Sequence, residues 1–201
     1  MSDPDPFVYR RLRPPPDRDF WLFAYGSLMW RPGFPHLAAE PALLRGYHRT
    51  FCVYSHRYRG TPESPGLVLG LDRGGACRGR AFLVAAAEGP GVAAYLHERE
   101  MVTGVYVPRW LWVEIPGRRV RAAAYLVDRR HRQYAGKLSP GRTAELILQG
   151  RGAAGTNREY LENTVRHLDE LGIADGALHE LLRLVEAKNA RAAPRPRGRR
   201  P

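Results

Sequence analysis

The sequence predicts an α+β fold: a mixed, mainly antiparallel sheet or small barrel with helices packed around it. Two observations lead there. Strand-like segments come first, one helix follows, then two more strands, then helices, so the regular strand–helix alternation of a parallel sheet is missing. The first strand, Phe20-Trp21-Leu22-Phe23-Ala24-Tyr25, is also apolar throughout, as a strand in the middle of a core is. The chain has 201 residues, enough for one domain with a substantial core.

In order, residues 1–18 read as a flexible Pro- and Arg-rich arm, with Pro14-Pro15-Pro16 stiff and extended. The first strand breaks at Gly26-Ser27, where a glycine lets the backbone turn and bare N–H groups face outward. Such a turn is a concave site for an anion or a carbonyl oxygen. Residues 31–40 are a loop punctuated by Pro32, Gly33 and Pro35, and residues 43–58 are strand-like. Residues 59–66 are a loop by composition. Leu67–Leu71 and Cys77–Ala86 read as a hairpin around Asp72-Arg73-Gly74-Gly75. Val92–Thr103 is a helix with Val92, Tyr95 and Leu96 on one face, ended by Gly104. Tyr106–Ile115 and Arg119–Val127 are strands around Pro116-Gly117. Ser139–Gln149 is a helix with Ser139 as N-cap and Pro140 in its first turn. A Gly/Ala loop over 150–155 leads to the helix Thr156–Leu171, stopped by Gly172. Asp175–Ala187 is the last helix. The domain therefore spans 19–187, and 188–201 is a disordered basic tail.

Net charge is +12, which invites a nucleic-acid partner. Six of those charges lie on Lys188, Arg191, Arg195, Arg197, Arg199 and Arg200, in a tail that cannot bury a core. A specific nucleic-acid role for the folded part is therefore not expected. Cys52 and Cys77 are too few for a disulfide framework. The N-terminus lacks the apolar run of a signal peptide, and no apolar run approaches a membrane span, so a cytoplasmic protein with no membrane partner is expected.

Glu100 is the residue out of place. It falls four after Leu96, on the apolar stripe. A carboxylate drawn toward a buried face loses water, and its pKa rises toward the range where it exchanges protons near neutral pH. The competing explanation is a glutamate paired with Arg99 or Arg109. His48, Cys52 and His56 share strand parity, but four-residue steps along a strand are about 13 Å apart, too far for one metal ion. Phosphate-loop, dinucleotide and Gly-x-Ser-x-Gly motifs are absent.

Four motifs, in order, resemble the ChaC-type gamma-glutamylcyclotransferases. They are Tyr25-Gly26-Ser27-Leu28-Met29-Trp30, the loop Arg59-Gly60-Thr61-Pro62-Glu63-Ser64-Pro65-Gly66, Arg99-Glu100-Met101 with Gly104-Val105-Tyr106, and Gly155-Thr156-Asn157-Arg158-Glu159-Tyr160-Leu161. Val105 and Ala24 stand where many members have glycine, and neither change removes a reactive group. The resemblance implies a gamma-glutamylcyclotransferase-like fold and a lyase that turns glutathione into 5-oxoproline and cysteinylglycine. In it the substrate's own α-amine is the nucleophile. It casts Glu100 as the catalytic base and acid. It implies a substrate site of Leu22, Phe23, Ala24, Tyr25, Gly26, Ser27, Tyr106 and Tyr160, with no metal and no cofactor. From the residues alone, Tyr160 reads rather as core packing with a satisfied hydroxyl. The same cyclisation on another γ-glutamyl amide or amine, and a basic nucleic-acid-binding module, are the alternatives.

Overall fold

The computed structural model of the chain describes residues 11–101 and 103–192. The first ten residues of the expected arm and the tail from 193 onward lie outside the described residues. Two compact units form: one takes the chain up to Val53 and Leu69–Gly136, the other Tyr54–Val68 and the chain from Lys137 on.

The first unit is built on a closed five-stranded barrel in the order β1-β3-β2-β4-β5. Its strands are β1 (Phe20–Ala24), β2 (Ala38–Ser55), β3 (Gly66–Val84), β4 (Tyr106–Ile115) and β5 (Arg118–Val127). β1 runs antiparallel to β3, from Phe20 opposite Val84 to Ala24 opposite Arg80, and parallel to β5 with Leu22 opposite Ala123. Leu22, Phe23 and Ala24 are buried together with no polar alternation, because both faces of this strand are covered. Ala122, Ala123 and Ala124 on β5 are fully buried; small side chains at this point let the barrel close around the bulk of Leu22 and Phe23. β4 and β5 pair over their whole length, Tyr106 opposite Val127 to Ile115 opposite Arg118.

The expected hairpin at Asp72–Gly75 does not form. β3 is a single strand of 19 residues that passes through Gly74 and Gly75. Both glycines have positive φ, 105° and 66°, and His48 on β2 bonds the Gly74 carbonyl through Nδ1 at 3.1 Å. The glycines make a bulge that bends a long strand rather than reversing it. β2 likewise begins at Ala38, earlier than the polar spacing suggested.

Helix α1 (Gly89–Glu100) buries Val92 and Leu96. It stops at Glu100, short of the expected Thr103. Gly104, with φ of 71°, closes the turn that follows by bonding to the Met101 carbonyl at 3.2 Å.

The second unit holds α2 (Pro140–Gln149), a two-residue ribbon of β6 (Arg151–Gly152) and β7 (Gly155–Thr156), α3 (Asn157–Glu170) and α4 (Gly176–Ala192). Ser139 caps α2 by accepting from the Arg142 amide. Thr156 and Glu159 form a reciprocal capping box on α3. Leu146, Ile147, Leu161, Val165, Leu168 and Val185 are the buried stripe of these helices. α4 continues five residues past Ala187. Among the described residues no helix is long and apolar enough to cross a membrane.

Candidate active site

The turn after β1 is where buried strand meets exposed backbone. The side chains of Leu22, Phe23, Ala24 and Tyr25 are buried, so what they offer is placement of the turn. Gly26 and Ser27 are half-buried, and Ser27–Met29 forms a single 3₁₀ turn. It is closed by Met29 N–H to Gly26 O and Arg31 N–H to Ser27 O, both 2.9 Å. The amides that open such a turn have no partner within it. Arg49, buried on β2, holds the turn from below. Its guanidinium donates to the Tyr25 carbonyl and, at 3.1 Å, to the Arg78 carbonyl. Gly26 has φ of −131°, outside the left-handed region. A Cβ there would meet Leu69 at an ordinary 3.8 Å.

Glu100 is the last residue of α1, and 18% of its side chain is exposed. Burial raises its carboxyl above the usual range, and the Arg99 charge pulls it back only in part. The carboxylate also sits at the negative end of the helix dipole, which disfavours its charge further. Tyr125, on β5, brings a phenol whose acidity is suppressed by burial and then by the Glu100 charge. The Tyr125 hydroxyl is buried without a hydrogen-bond partner among the described residues. A buried hydroxyl left without a partner is uncommon in a folded protein.

Of the two arginines weighed as partners of Glu100, Arg99 meets it. Arg99 Nε lies 3.5 Å from Glu100 Oε1, a charge contact rather than a short aligned hydrogen bond. Its other donors go elsewhere: Nη2 to Ser27 Oγ at 2.8 Å, and Nη1 to the Arg31 carbonyl at 2.8 Å and to Tyr95 OH at 2.6 Å. One guanidinium thus separates the Glu100 carboxylate from the Ser27 hydroxyl. Arg109 stands opposite Ala124 in the β4–β5 ladder, and no ion pair joins it to Glu100 among the described residues.

Tyr106 opens β4 and donates its hydroxyl to the Leu69 carbonyl at 2.6 Å. Tyr160 belongs to the second unit, in the first turn of α3. There the Arg59 guanidinium lies 5.1 Å from the centre of its ring and donates to the Thr156 carbonyl at 3.1 Å. Burial lowers the Arg59 pKa. Sequence reasoning missed Arg49 and Tyr125. Neither carries a local signal: one is an arginine among many, the other an aromatic in an apolar strand.

Among the described residues no three His, Cys, Asp or Glu side chains gather as a metal site. Cys52 is buried and its thiol is pushed up to about 12, first by burial and then by the Asp72 charge. It is therefore inert as a nucleophile at neutral pH.

A small closed barrel thus carries a partly buried acid that shares one guanidinium with a backbone turn. The family model described as ChaC-like protein matches residues 20–188. The chain belongs to the ChaC-like family. It is 36% identical over 169 residues to the glutathione-specific gamma-glutamylcyclotransferase of Escherichia coli strain K12, covering 84% of this chain and 73% of that protein. It is 34% identical over 146 residues to human glutathione-specific gamma-glutamylcyclotransferase 1, covering 70% of this chain and 66% of that protein. The crystal structure of a yeast gamma-glutamyl cyclotransferase specific to glutathione superposes with a TM-score of 0.78 at 21% identity, over 85% of this chain and 97% of the yeast chain. That likeness is one of fold.

Proposed function

We propose that this protein is a glutathione-specific gamma-glutamylcyclotransferase, a lyase that releases 5-oxoproline and cysteinylglycine. Membership of the ChaC-like family and the two glutathione-specific relatives support the substrate. The observation that carries the chemistry is the half-dry Glu100 carboxylate, held one guanidinium away from the Ser27 turn.

In this reading the glutamyl head lies on the Gly26-Ser27 backbone, with its γ-carbonyl toward the amides that open the turn. Glu100 takes a proton from the substrate's α-ammonium group. The freed amine attacks the γ-carbon, and a five-membered ring closes with the charge on the carbonyl oxygen held by the turn's N–H groups. Glu100 then gives its proton to the cysteinyl nitrogen as the bond from that nitrogen to the γ-carbon breaks. The ring nitrogen sheds a second proton, which ends on the released amine. The nucleophile comes from the substrate, so the protein supplies orientation and proton transfer. A carboxyl raised by burial suits both halves, since it must accept a proton first and return it later. Tyr106 adds a phenol near the barrel strand. Tyr160 and the Arg59–Gly66 loop enter through the family resemblance alone, the loop as the element that sets substrate choice.

The test is incubation of purified protein with glutathione and, in parallel, with γ-glutamyl-alanine and a γ-glutamyl amine. Equimolar 5-oxoproline and cysteinylglycine from glutathione, with little turnover of the others, is expected. Preferred cyclisation of another γ-glutamyl compound would move the assignment to that substrate.

A further inference from the structure

We infer that Arg99 is a positioning residue: its guanidinium fixes the Ser27 turn and the Glu100 carboxylate in one rigid arrangement and keeps that carboxylate available as a base. The inference rests on the functional reading above, but its evidence is geometric. Arg99 reaches four groups from two parts of the chain, the turn after β1 and α1 itself. Nη2 bonds Ser27 Oγ at 2.8 Å, Nη1 bonds the Arg31 carbonyl at 2.8 Å and Tyr95 OH at 2.6 Å, and Nε lies 3.5 Å from Glu100 Oε1. Ser27 and Arg31 bracket the 3₁₀ turn, so the guanidinium grips that turn at both ends. Tyr95, one helical turn earlier on α1, adds its hydroxyl, and its ring centre lies 5.9 Å from the guanidinium carbon. The side chain is 24% exposed, so these contacts are made partly out of water.

A planar fork can hold several acceptors at fixed angles, which a lysine ammonium cannot. Arg99 spends its short hydrogen bonds on the turn and the helix, and leaves Glu100 the long contact. The carboxylate is thus held near a positive charge without being tied up by it. Glu100 has lost water and sits at a helix C-terminus, and the groups whose charge couples to it are Arg99 from its own helix and the phenol of Tyr125 from β5. Arg99 opposes both burial and helix dipole. Without it, more of the enzyme would hold Glu100 protonated, and the base would be missing at the start of the cycle. The Ser27 oxygen accepts from Arg99, which leaves its own O–H to donate toward a ligand.

The experiment uses the full chain with Arg99→Gln and Arg99→Lys, their folding checked by circular dichroism. Turnover of glutathione is measured from pH 5 to 9. The Glu100 carboxyl is titrated by carbon NMR without substrate and assigned with Glu100→Gln. Arg99→Gln is expected to move both the acidic limb of kcat/KM and the NMR titration upward by about one pH unit or more. It is also expected to lower kcat at least about tenfold, with KM changed by less than about threefold. Arg99→Lys is expected to keep the titration near the wild-type position and still lose kcat, because charge returns without the fork. A Glu100 titration unmoved in Arg99→Gln overturns the inference, and so does a rise in KM with kcat intact. The NMR titration decides the inference even if wild type fails to cyclise glutathione, a result that would instead overturn the functional reading.

Discussion

Glu100 carries a cost that the rest of the protein has to cover. Its charged form is disfavoured by burial, so the folded carboxyl titrates above its ordinary value of 4.5. For an acid raised in this way, the folded state binds more protons than the unfolded one between the two values, and stability falls as pH rises through that window. Glutamine is neutral at every pH. The Glu100→Gln variant is expected to match wild type in Tm near pH 4 and to exceed it at pH 8, because a strained functional group has been relieved. Equal Tm values at pH 8 would mean that the carboxylate is not held out of water. Gly26 supplies a second test. A Cβ there meets Leu69 at 3.8 Å, so Gly26→Ala is expected to keep its Tm within a few degrees. A large rise in KM with stability intact would show that substrate passes close to that Cα. A Tm drop of more than about 5 °C would show that the glycine is needed by the fold instead.

Among the elements, the loop between β2 and β3 has glycines that packing dictates. A Cβ on Gly66 would lie 2.0 Å from the Arg59 carbonyl oxygen and 2.7 Å from Asn157 Oδ1. A Cβ on Gly60 would lie 2.2 Å from the Gly66 nitrogen, and one on Gly150 2.5 Å from the Arg59 carbonyl. Backbone therefore presses on backbone with no flexible side chain to give way. Asn157, fully buried at the start of α3, bonds both sides of Leu67: its Oδ1 accepts the Leu67 amide at 2.5 Å and its Nδ2 donates to the Leu67 carbonyl at 2.7 Å. A side-chain amide here does the work of a neighbouring strand. Gly66→Ala is expected to cost more than about 2 kcal/mol in denaturant unfolding. A value below about 0.5 kcal/mol would mean that the loop adapts freely. The motif Arg59–Gly66 is thus explained by packing as well as by any part it plays in substrate choice.

At the scale of the molecule, the barrel brings the site together from positions far apart in sequence. Ser27 and Arg99 are separated by 72 positions, yet share a hydrogen bond. That separation sets what the sequence could disclose. The Gly26-Ser27 turn and the out-of-place Glu100 were legible because each is a local break in a local pattern. The β4–β5 pair and the cap at Ser139 were legible for the same reason. The grip of Arg99 and the support from Arg49 were not, since an arginine's partners are chosen by the fold and this chain has arginines everywhere. Gly74-Gly75 misled in the opposite way. Two glycines between apolar runs carry the local signature of a turn, and only the pairing of β3 with its neighbours makes them a bulge. The end of α1 at Glu100 was hidden too, because the nearest stop signal is Gly104, which closes the turn after the helix.

The most direct measurement is the rate at which Glu100→Gln releases 5-oxoproline from saturating glutathione, compared with wild type, on protein shown to be folded. Loss of turnover by about 10²–10⁴-fold is predicted, the contribution expected of a single positioned proton carrier. Turnover within a few-fold of wild type would contradict the account, in which Glu100 carries that proton.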